Sequence, residues 1–282
     1  MAEVYVTSAF SKNNSGGNKA GVVVQDYHLE EEQKKELASQ LGYSETAFIS
    51  HSDCADFKIE YFTPEGEVPL CGHATIASFV TMNSLHMLED SHYSIETKSG
   101  ILKIDMDETG MVFMEQNNPV FYEKLEKSDL ADCLDPALVA QNLPIQIVST
   151  GLRDILVPID SPKHLREARP DFKAMSAVSE SKDVIGLHAF SLVNSHELTA
   201  VCRNFAPLYG IDEESATGTS NCALACYLFH YGQKQTEYIF EQGHNLGSVS
   251  RIVVHLEHEK DAITKVAVGG HGYLNLKETF KI

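Results

Sequence analysis

Residues 62–75 read FTPEGEVPLCGHAT, and residues 205–219 read FAPLYGIDEESATGT. Both stretches begin with phenylalanine, have a proline two positions later, and close on a glycine followed by small or hydroxyl-bearing residues. The offset is 143 residues at the first phenylalanine and 146 residues between Gly72 and Gly218, a difference that one small loop insertion absorbs. The repetition predicts a duplicated fold.

Each copy predicts the first turn of a helix, which is called a helix opening below. The first turn of a helix leaves backbone N–H groups without intrahelical partners and carries the positive end of the helix dipole, which suits a carboxylate. Openings at Gly72 and Gly218 therefore predict one small-molecule site formed by two halves of the chain. Ordinary N-capping is the structural alternative, because Thr and Ser are favoured caps. The repetition favours the functional interpretation.

Composition limits the class of partner. The chain has 282 residues, of which 43% are hydrophobic, and this length suits two domains. Its 22 basic and 40 acidic residues give a net charge of −18, which repels nucleic-acid phosphates and anionic membranes. We expect a small-molecule substrate. Neither a signal peptide nor an apolar run of about 20 residues is evident, so the sequence predicts a cytoplasmic protein.

The cysteine pattern predicts neither a disulfide framework nor a metal site. The six cysteines include no CxxC pair. Cys222, Cys226 and His230 are spaced four residues apart, but the outer two would lie about 12 Å apart along a helix, too far to share one ion. We expect these cysteines to be small buried side chains, and we expect no metal or other cofactor.

The hydrophobic patterns predict an α+β fold of two pseudo-symmetric domains. Each domain is expected to wrap a curved, mostly antiparallel sheet around a central apolar helix, with the active site in the cleft between them. The first domain comprises residues 1–118, to which residues 268–282 return, and the second comprises residues 119–267. Predicted helices cover residues 29–41, 74–88 and 223–230, and residues 117–144 are expected to form a connector with a short helix.

Residues 44–48, SETAF, place Glu45 between a helix end and an apolar strand. Such a carboxylate suits a group that accepts and donates a proton, although a solvated glutamate is the structural alternative. Aligning Ala47-Phe48 with Ala189-Phe190 puts Leu187 at the position of Glu45, so only one half carries the acid. A two-base epimerase needs a proton donor on each side of its substrate. One carboxylate that returns the proton elsewhere on the same face describes an isomerase.

Other polar residues flank the two helix openings. His73 can donate to a substrate oxygen or act on Glu45, or it can simply bond locally. Glu213 and Glu214 precede the second opening, where the helix dipole favours acids for structural reasons as well.

Taken together, the motifs resemble those of the phenazine-biosynthesis (PhzF-like) isomerase family. They are residues 17–23 (GNKAGVV), 44–48 (SETAF), 62–64 with 71–75 (FTP and CGHAT), and 203–207 with 213–219 (RNFAP and EESATGT). The resemblance implies a fold similar to that of diaminopimelate epimerase, no cofactor, a small carboxylate-bearing substrate, and often a homodimer. It also implies site residues by motif position: Glu45 as catalytic acid/base, His73, Glu214 and Thr219 in support, and Asn18, Gly72, Gly218 and Ser220 as substrate-binding residues.

Two positions depart from the commonest family pattern. Glu214 stands where many members have aspartate, and Thr219 where many have serine, so the functional groups persist while the substrate is not predicted. A thiol-based racemase or epimerase on the same fold is one alternative, with Cys71 as the first thiol; the second opening offers Ala216 and Thr217 instead of a second. A non-catalytic small-molecule binding scaffold is the other alternative.

Overall fold

The computed structural model of this chain describes residues 2–24, 29–193 and 195–280. Its strands, in chain order, are β1 (Ala2–Ala9), β2 (Asn18–Val24), β3 (Thr46–Ser50), β4 (Phe57–Phe62), β5 (Glu67–Val68), β6 (His92–Thr97), β7 (Gly100–Met106), β8 (Val112–Gln116), β9 (Val120–Leu125), β10 (Ile145–Ser149), β11 (Arg153–Pro158), β12 (Gly186–Leu192), β13 (Ala200–Ala206), β14 (Ile211–Glu214), β15 (Glu237–Gln242), β16 (Ser250–Glu259), β17 (Ala262–Gly270) and β18 (Gly272–Phe280). Its α-helices are α1 (Glu31–Leu41), α2 (Gly72–Ser84), α3 (Pro162–Glu167), α4 (Phe172–Lys182) and α5 (Gly218–His230). Short 3₁₀ helices cover Lys127–Leu130, Pro136–Leu138, Pro207–Tyr209 and His244–Leu246.

Unit 1 comprises residues 1–115 and 269–282. In it, β1 pairs antiparallel with both β2 and β18, while β3 runs parallel to β2 and antiparallel to β4. Helix α2 packs against β1, β2, β3 and β18. On the flank, α1 ends at Gly42, whose left-handed backbone (φ 68°) lets its N–H bond to the Ala38 carbonyl.

Unit 2 comprises residues 116–268 and repeats this arrangement. Strand β12 runs parallel to β11 and antiparallel to β13, and helix α5 packs against β10, β11 and β16. A separate apolar cluster, which includes Ile147, Ile155 and Met175, lies under α3 and α4. Each unit thus has the predicted α+β architecture, with a mostly antiparallel sheet around one apolar helix.

Helix α2 is buried from His73 to Met82, although its sequence contains several hydroxyl-bearing residues. Their hydroxyls donate to carbonyls one turn earlier: Thr75 to Cys71 (2.8 Å), Ser78 to Ala74 (2.7 Å) and Thr81 to Ala77 (2.8 Å). Because each buried donor has an acceptor within the helix, the sheet can surround α2 without leaving polar groups unsatisfied.

Strand register identifies the counterpart of Glu45 in unit 2. Thr46 lies opposite Phe62 in the β3–β4 pair, and Leu187 lies opposite Phe205 in the β12–β13 pair. With Phe62 matched to Phe205, the counterpart of Glu45 is Gly186, one residue before the Leu187 that the alignment of Ala47 with Ala189 predicts. Leu187 itself is packed in the apolar cluster of unit 2. A Cβ on Gly186 would come 1.9 Å from the Phe205 carbonyl oxygen, so no side chain fits at this position.

Two local predictions need correction. Residues 117–144 contain a strand, β9, which pairs antiparallel with β10; most of its side chains are exposed, so its sequence lacks the alternation that marks a half-buried strand. The helix predicted for residues 74–88 covers Gly72–Ser84 instead, and His86 beyond it adopts a left-handed conformation (φ 57°). Across the described ranges, every helix is too short or too polar to cross a membrane.

Candidate active site

Unit 1 brings three predicted or suspected residues together: Glu45, Cys71 and His73. Glu45 Oε2 lies 3.4 Å from His73 Nε2, and Cys71 Sγ lies 3.4 Å from His73 Nδ1. The Ser44 hydroxyl is 3.5 Å from the same Nε2 atom. The imidazole therefore stands between a carboxylate on one side and a thiol on the other.

Backbone geometry holds Glu45 in place. It directly precedes β3, and its carbonyl oxygen accepts from the Gly21 N–H at 3.3 Å. A side chain at Gly21 would come within 2.9 Å of Leu41 and Thr46, so glycine permits this close contact between β2 and β3. The Glu45 side chain is 19% exposed, and its Oε2 atom is buried with no hydrogen-bond partner among the described residues.

The first turn of α2 has no side-chain cap. Cys71 occupies the N-cap with an extended backbone (φ −141°, ψ 114°), and its side chain accepts no hydrogen bond from the helix. Gly72 is the first helical residue and His73 the second. In α5, Thr217 is likewise an N-cap without a side-chain cap bond. Ordinary side-chain capping is therefore not the role of either residue.

In unit 2, the two neighbouring glutamates have different partners. Glu213 forms a bidentate pair with the buried Arg203, with distances of 2.9 Å from Nε and 2.8 Å from the terminal nitrogen. Arg203 also donates to the carbonyls of Leu165 and Ala168, so this pair ties β13 to the end of α3. Glu214 instead accepts the Thr217 hydroxyl at 2.8 Å, beside the opening of α5.

The remaining predicted residues lie at element ends. Asn18 begins β2, Gly218 begins α5, and Thr219 follows, its carbonyl accepting from the Thr150 hydroxyl at 3.1 Å. Ser220 is different, because its hydroxyl donates to the buried Asp154 at 2.7 Å. Its side chain thus faces the interior of unit 2.

A buried polar network surrounds Ser220. Asn204 Nδ2 donates to Ser220 Oγ at 3.1 Å and lies 3.2 Å from His188 Nδ1. Burial raises the pKa of Asp154 to about 7, against the smaller lowering effect of the Ser220 hydrogen bond. Burial also lowers the pKa of His188 to about 3, a shift that Asn221 partly opposes. Both groups are therefore neutral inside unit 2 between about pH 3 and pH 7.

Sequence reasoning did not identify Ser44, Thr217 or Gln242 as functional residues. Ser44 and Thr217 lie within the quoted motifs, so their positions beside Glu45 and Gly218 carried a usable signal. Gln242 lies far from any motif, and it contacts Thr217 through a hydrogen bond from its side-chain amide to Thr217 Oγ1. No pattern in the sequence points to it.

Glu45, Cys71 and His73 also carry atoms that metal ions use, and these lie within 4.8 Å of one another. The two nitrogens of one imidazole face different partners, Nδ1 toward Cys71 and Nε2 toward Glu45. Each ring nitrogen thus has its own near neighbour within unit 1. The observed arrangement instead suits proton exchange between a carboxylate and an imidazole.

Comparisons with known proteins match nearly the whole chain. The sequence profile of the family described as phenazine biosynthesis-like protein, PhzC-PhzF, matches residues 7–277. The uncharacterized isomerase YfhB of Bacillus subtilis is 33% identical, over 99% of this chain and 95% of that protein. The trans-2,3-dihydro-3-hydroxyanthranilate isomerase of Pseudomonas chlororaphis is 26% identical, over 96% of both chains. A crystal structure of a PhzF-family phenazine biosynthesis protein from Bacillus anthracis has a TM-score of 0.92 at 27% identity, covering 100% of this chain and 99% of that one.

Proposed function

This chain belongs to the phenazine biosynthesis-like, PhzC-PhzF, family and is an isomerase, and we propose that it moves a proton within a small carboxylate-bearing substrate with Glu45 as the acid/base. The observation that carries the proposal is the Glu45 carboxylate itself. Its Oε2 atom is buried, without a hydrogen-bond partner among the described residues, and 3.4 Å from His73. The matching position of unit 2 is Gly186, where no side chain fits.

A single carboxylate, that of Glu45, can carry out the whole proton transfer. Glu45 removes a proton from a substrate carbon, the electron pair of that C–H bond shifts along the adjacent unsaturated system, and the protonated Glu45 returns the proton to another carbon. No electrons are gained or lost, so the step needs no redox partner. His73 stabilises negative charge that develops on the substrate, and the N–H groups at the opening of α2 bind its carboxylate.

The other predicted site residues also have roles in the proposal. Glu214 and Thr219 support the reaction, and Asn18, Gly72, Gly218 and the backbone of Ser220 bind substrate. The proposed substrate class is a small carboxylate-bearing molecule, and the isomerase of Pseudomonas chlororaphis supplies one compound to test. We infer that the protein works in the cytoplasm.

A solvent-exchange screen tests the proposal. The native protein and Glu45→Gln are incubated in D₂O with trans-2,3-dihydro-3-hydroxyanthranilate and with a panel of unsaturated cyclic acids and amino acids. Deuterium incorporation by the native protein alone supports the proposal, even before a product is identified. Equal incorporation by both proteins would show that Glu45 is not the base.

The thiol-based racemase is the alternative that Cys71 keeps open. Such an enzyme needs a second reactive thiol, but residues 216 and 217 are alanine and threonine. Cys222 lies a turn further into α5, and burial raises the pKa of its thiol well above the usual range. A thiol that stays protonated is a poor base.

Replacing Cys71 with serine is expected to retain substantial activity, because the thiol occupies space beside His73 and takes no proton from the substrate. Deuterium incorporation by Cys71→Ser, compared with Glu45→Gln, is the measurement. Losses of equal size in the two variants would favour the thiol mechanism. Cys133→Ser, at a buried cysteine of unit 2, controls for the general effect of the substitution.

We also propose a homodimer, as the family resemblance implies. The apolar side chains of Val120, Tyr122 and Leu152 are exposed on or near β9, and exposed apolar patches often mark subunit interfaces. Light scattering coupled to size-exclusion chromatography measures the mass directly. A mass of 31.2 kDa across the working concentration range would rule the dimer out.

A further inference from the structure

A hydrogen-bonded chain leads from the interior of unit 2 to the Glu214 carboxylate. Gln242 Nε2 donates to the Glu214 carbonyl oxygen at 2.8 Å and to Thr217 Oγ1 at 3.0 Å. Thr217 Oγ1 in turn donates to Glu214 Oε2 at 2.8 Å. At the far end, Asn221 Nδ2 donates to Gln242 Oε1 at 2.9 Å. Gln242 and Asn221 are completely buried.

The donor and the acceptor of each hydrogen bond in this network can be assigned, because some of its groups can only accept a hydrogen bond. Backbone carbonyls only accept, so the Gln242 atom facing the Glu214 carbonyl is the amide nitrogen. The same argument orients Asn221, whose Nδ2 also donates to the Thr217 carbonyl at 2.8 Å. Because the Gln242 amide donates to Thr217, the single hydroxyl proton of Thr217 remains for Glu214.

Thr217 stands at the N-cap of α5 but does not act as a cap. Its backbone is extended (φ −129°, ψ 101°), and its side chain makes no cap bond to the helix. Threonine at this position usually accepts from the first helical turn. Here the hydroxyl donates to the Glu214 carboxylate instead, and this bond does not stabilise the first turn of the helix.

The neighbouring backbone leaves little room for rearrangement. Gly243 follows Gln242 with a left-handed backbone (φ 84°), and a Cβ there would come 2.9 Å from the Ser215 carbonyl oxygen. The end of β15 is thus in close contact with the loop that carries Glu214. This close contact restrains the position of Gln242 relative to the loop that carries Glu214.

We propose that Thr217 and Gln242 are positioning residues that hold the Glu214 carboxylate in the orientation required for turnover. The inference rests on the proposed function in one respect, because that proposal assigns Glu214 to the site. The hydroxyl donates to one oxygen of the Glu214 carboxylate and so restrains the orientation of the whole group. Neither Thr217 nor Gln242 needs to contact the substrate.

The test compares Thr217→Val, which keeps the shape but removes the hydroxyl, with Thr217→Ser, which keeps the hydroxyl. Turnover is measured as deuterium incorporation into trans-2,3-dihydro-3-hydroxyanthranilate or another substrate from the screen. Thr217→Val is expected to lower kcat by up to about 10²-fold with little change in KM, since misplacement of a reacting group by about 1 Å has effects of this size. Thr217→Ser is expected to restore most of the rate.

Repeating the Thr217 substitution in a Glu214→Ala variant distinguishes a positioning role from a general structural effect. In Glu214→Ala, adding Thr217→Val should cause no further loss, because the hydroxyl then has no carboxylate to position. Equal losses in both backgrounds would contradict the proposal. Thr199→Val is the matched control, since Thr199 is also half-buried in unit 2 and its hydroxyl accepts only the Ile239 N–H in the described contacts.

Crystal structures of the two Thr217 variants give a readout that needs no substrate. The Glu214 carboxylate should stay within hydrogen-bond distance of residue 217 in the serine variant and turn away in the valine variant. An unmoved carboxylate in Thr217→Val would overturn the proposal. If Glu45→Gln retains activity, the proposed function fails, but these structures still decide whether Thr217 positions Glu214.

Discussion

Glu45→Gln is expected to lower turnover by about 10²- to 10⁴-fold while the protein stays folded, because the amide keeps the shape of the carboxylate but cannot carry the proton. Glu45 Oε2 has no hydrogen-bond partner among the described residues, so the substitution removes no hydrogen bond from that atom and alters only its 3.4 Å ion-pair contact with His73. Deuterium incorporation gives the rate, and thermal unfolding shows whether the fold is retained.

Glu67→Gln is the matched control for this prediction. Its side chain, also in unit 1, is 20% exposed, close to the 19% of Glu45, and pairs with Lys98 at 2.8 Å. The control should lose little activity, because a largely exposed partner makes the ion pair weak. Native turnover by Glu45→Gln, or an equal loss in both variants, would remove Glu45 from the mechanism.

Asp154→Asn is expected to stabilise the protein at high pH and to have little effect near pH 4. Burial raises the pKa of Asp154 from its ordinary 3.8 to about 7, so the folded protein keeps a proton that the unfolded chain has released. Folding is therefore penalised progressively as the pH rises from about 4 through 7, by up to about 4 kcal/mol. Asparagine mimics the protonated acid at every pH and escapes this penalty.

Urea unfolding of native protein and Asp154→Asn at pH 5, 7 and 8.5 measures the difference. The advantage of the variant should grow along this series, whereas a constant difference would show that Asp154 does not titrate across this range. Asp212→Asn, at an exposed position, controls for the loss of one negative charge.

His188 has the opposite effect on how the stability of the folded protein depends on pH. Burial lowers the pKa of His188 from 6.5 to about 3, so the unfolded chain takes up a proton that the folded protein excludes. Stability is therefore lost as the pH falls below 6.5 toward 3. The pH windows of Asp154 and His188 overlap between about pH 4 and 6.5, where the two opposite effects cancel. Their combined contribution to stability is therefore flat over that range and decreases above about pH 6.5 and below about pH 4.

Local sequence patterns were sufficient for the elements that frame the site. The acidic first turn of α1 and its closing Gly42, the apolar run of α2, and the glycines at both helix openings act over three or four neighbouring residues. Strand β9 was missed because it lies mostly exposed and lacks alternation. The duplicated architecture followed from the repeated stretches alone.

The sequence by itself determined the family, the α+β class and the residues that meet in unit 1. Glu45 and His73 belong to short motifs at element ends, and the backbone of each element carries them into place. Tertiary structure decided the pairings made over long separations: Ser220 with Asp154, 66 residues apart, and Thr217 with Gln242, 25 residues apart. It also made Gly186 the counterpart of Glu45. These contacts depend on strand register and on how a helix packs on its sheet, and a register shift of one residue changes which side chains meet.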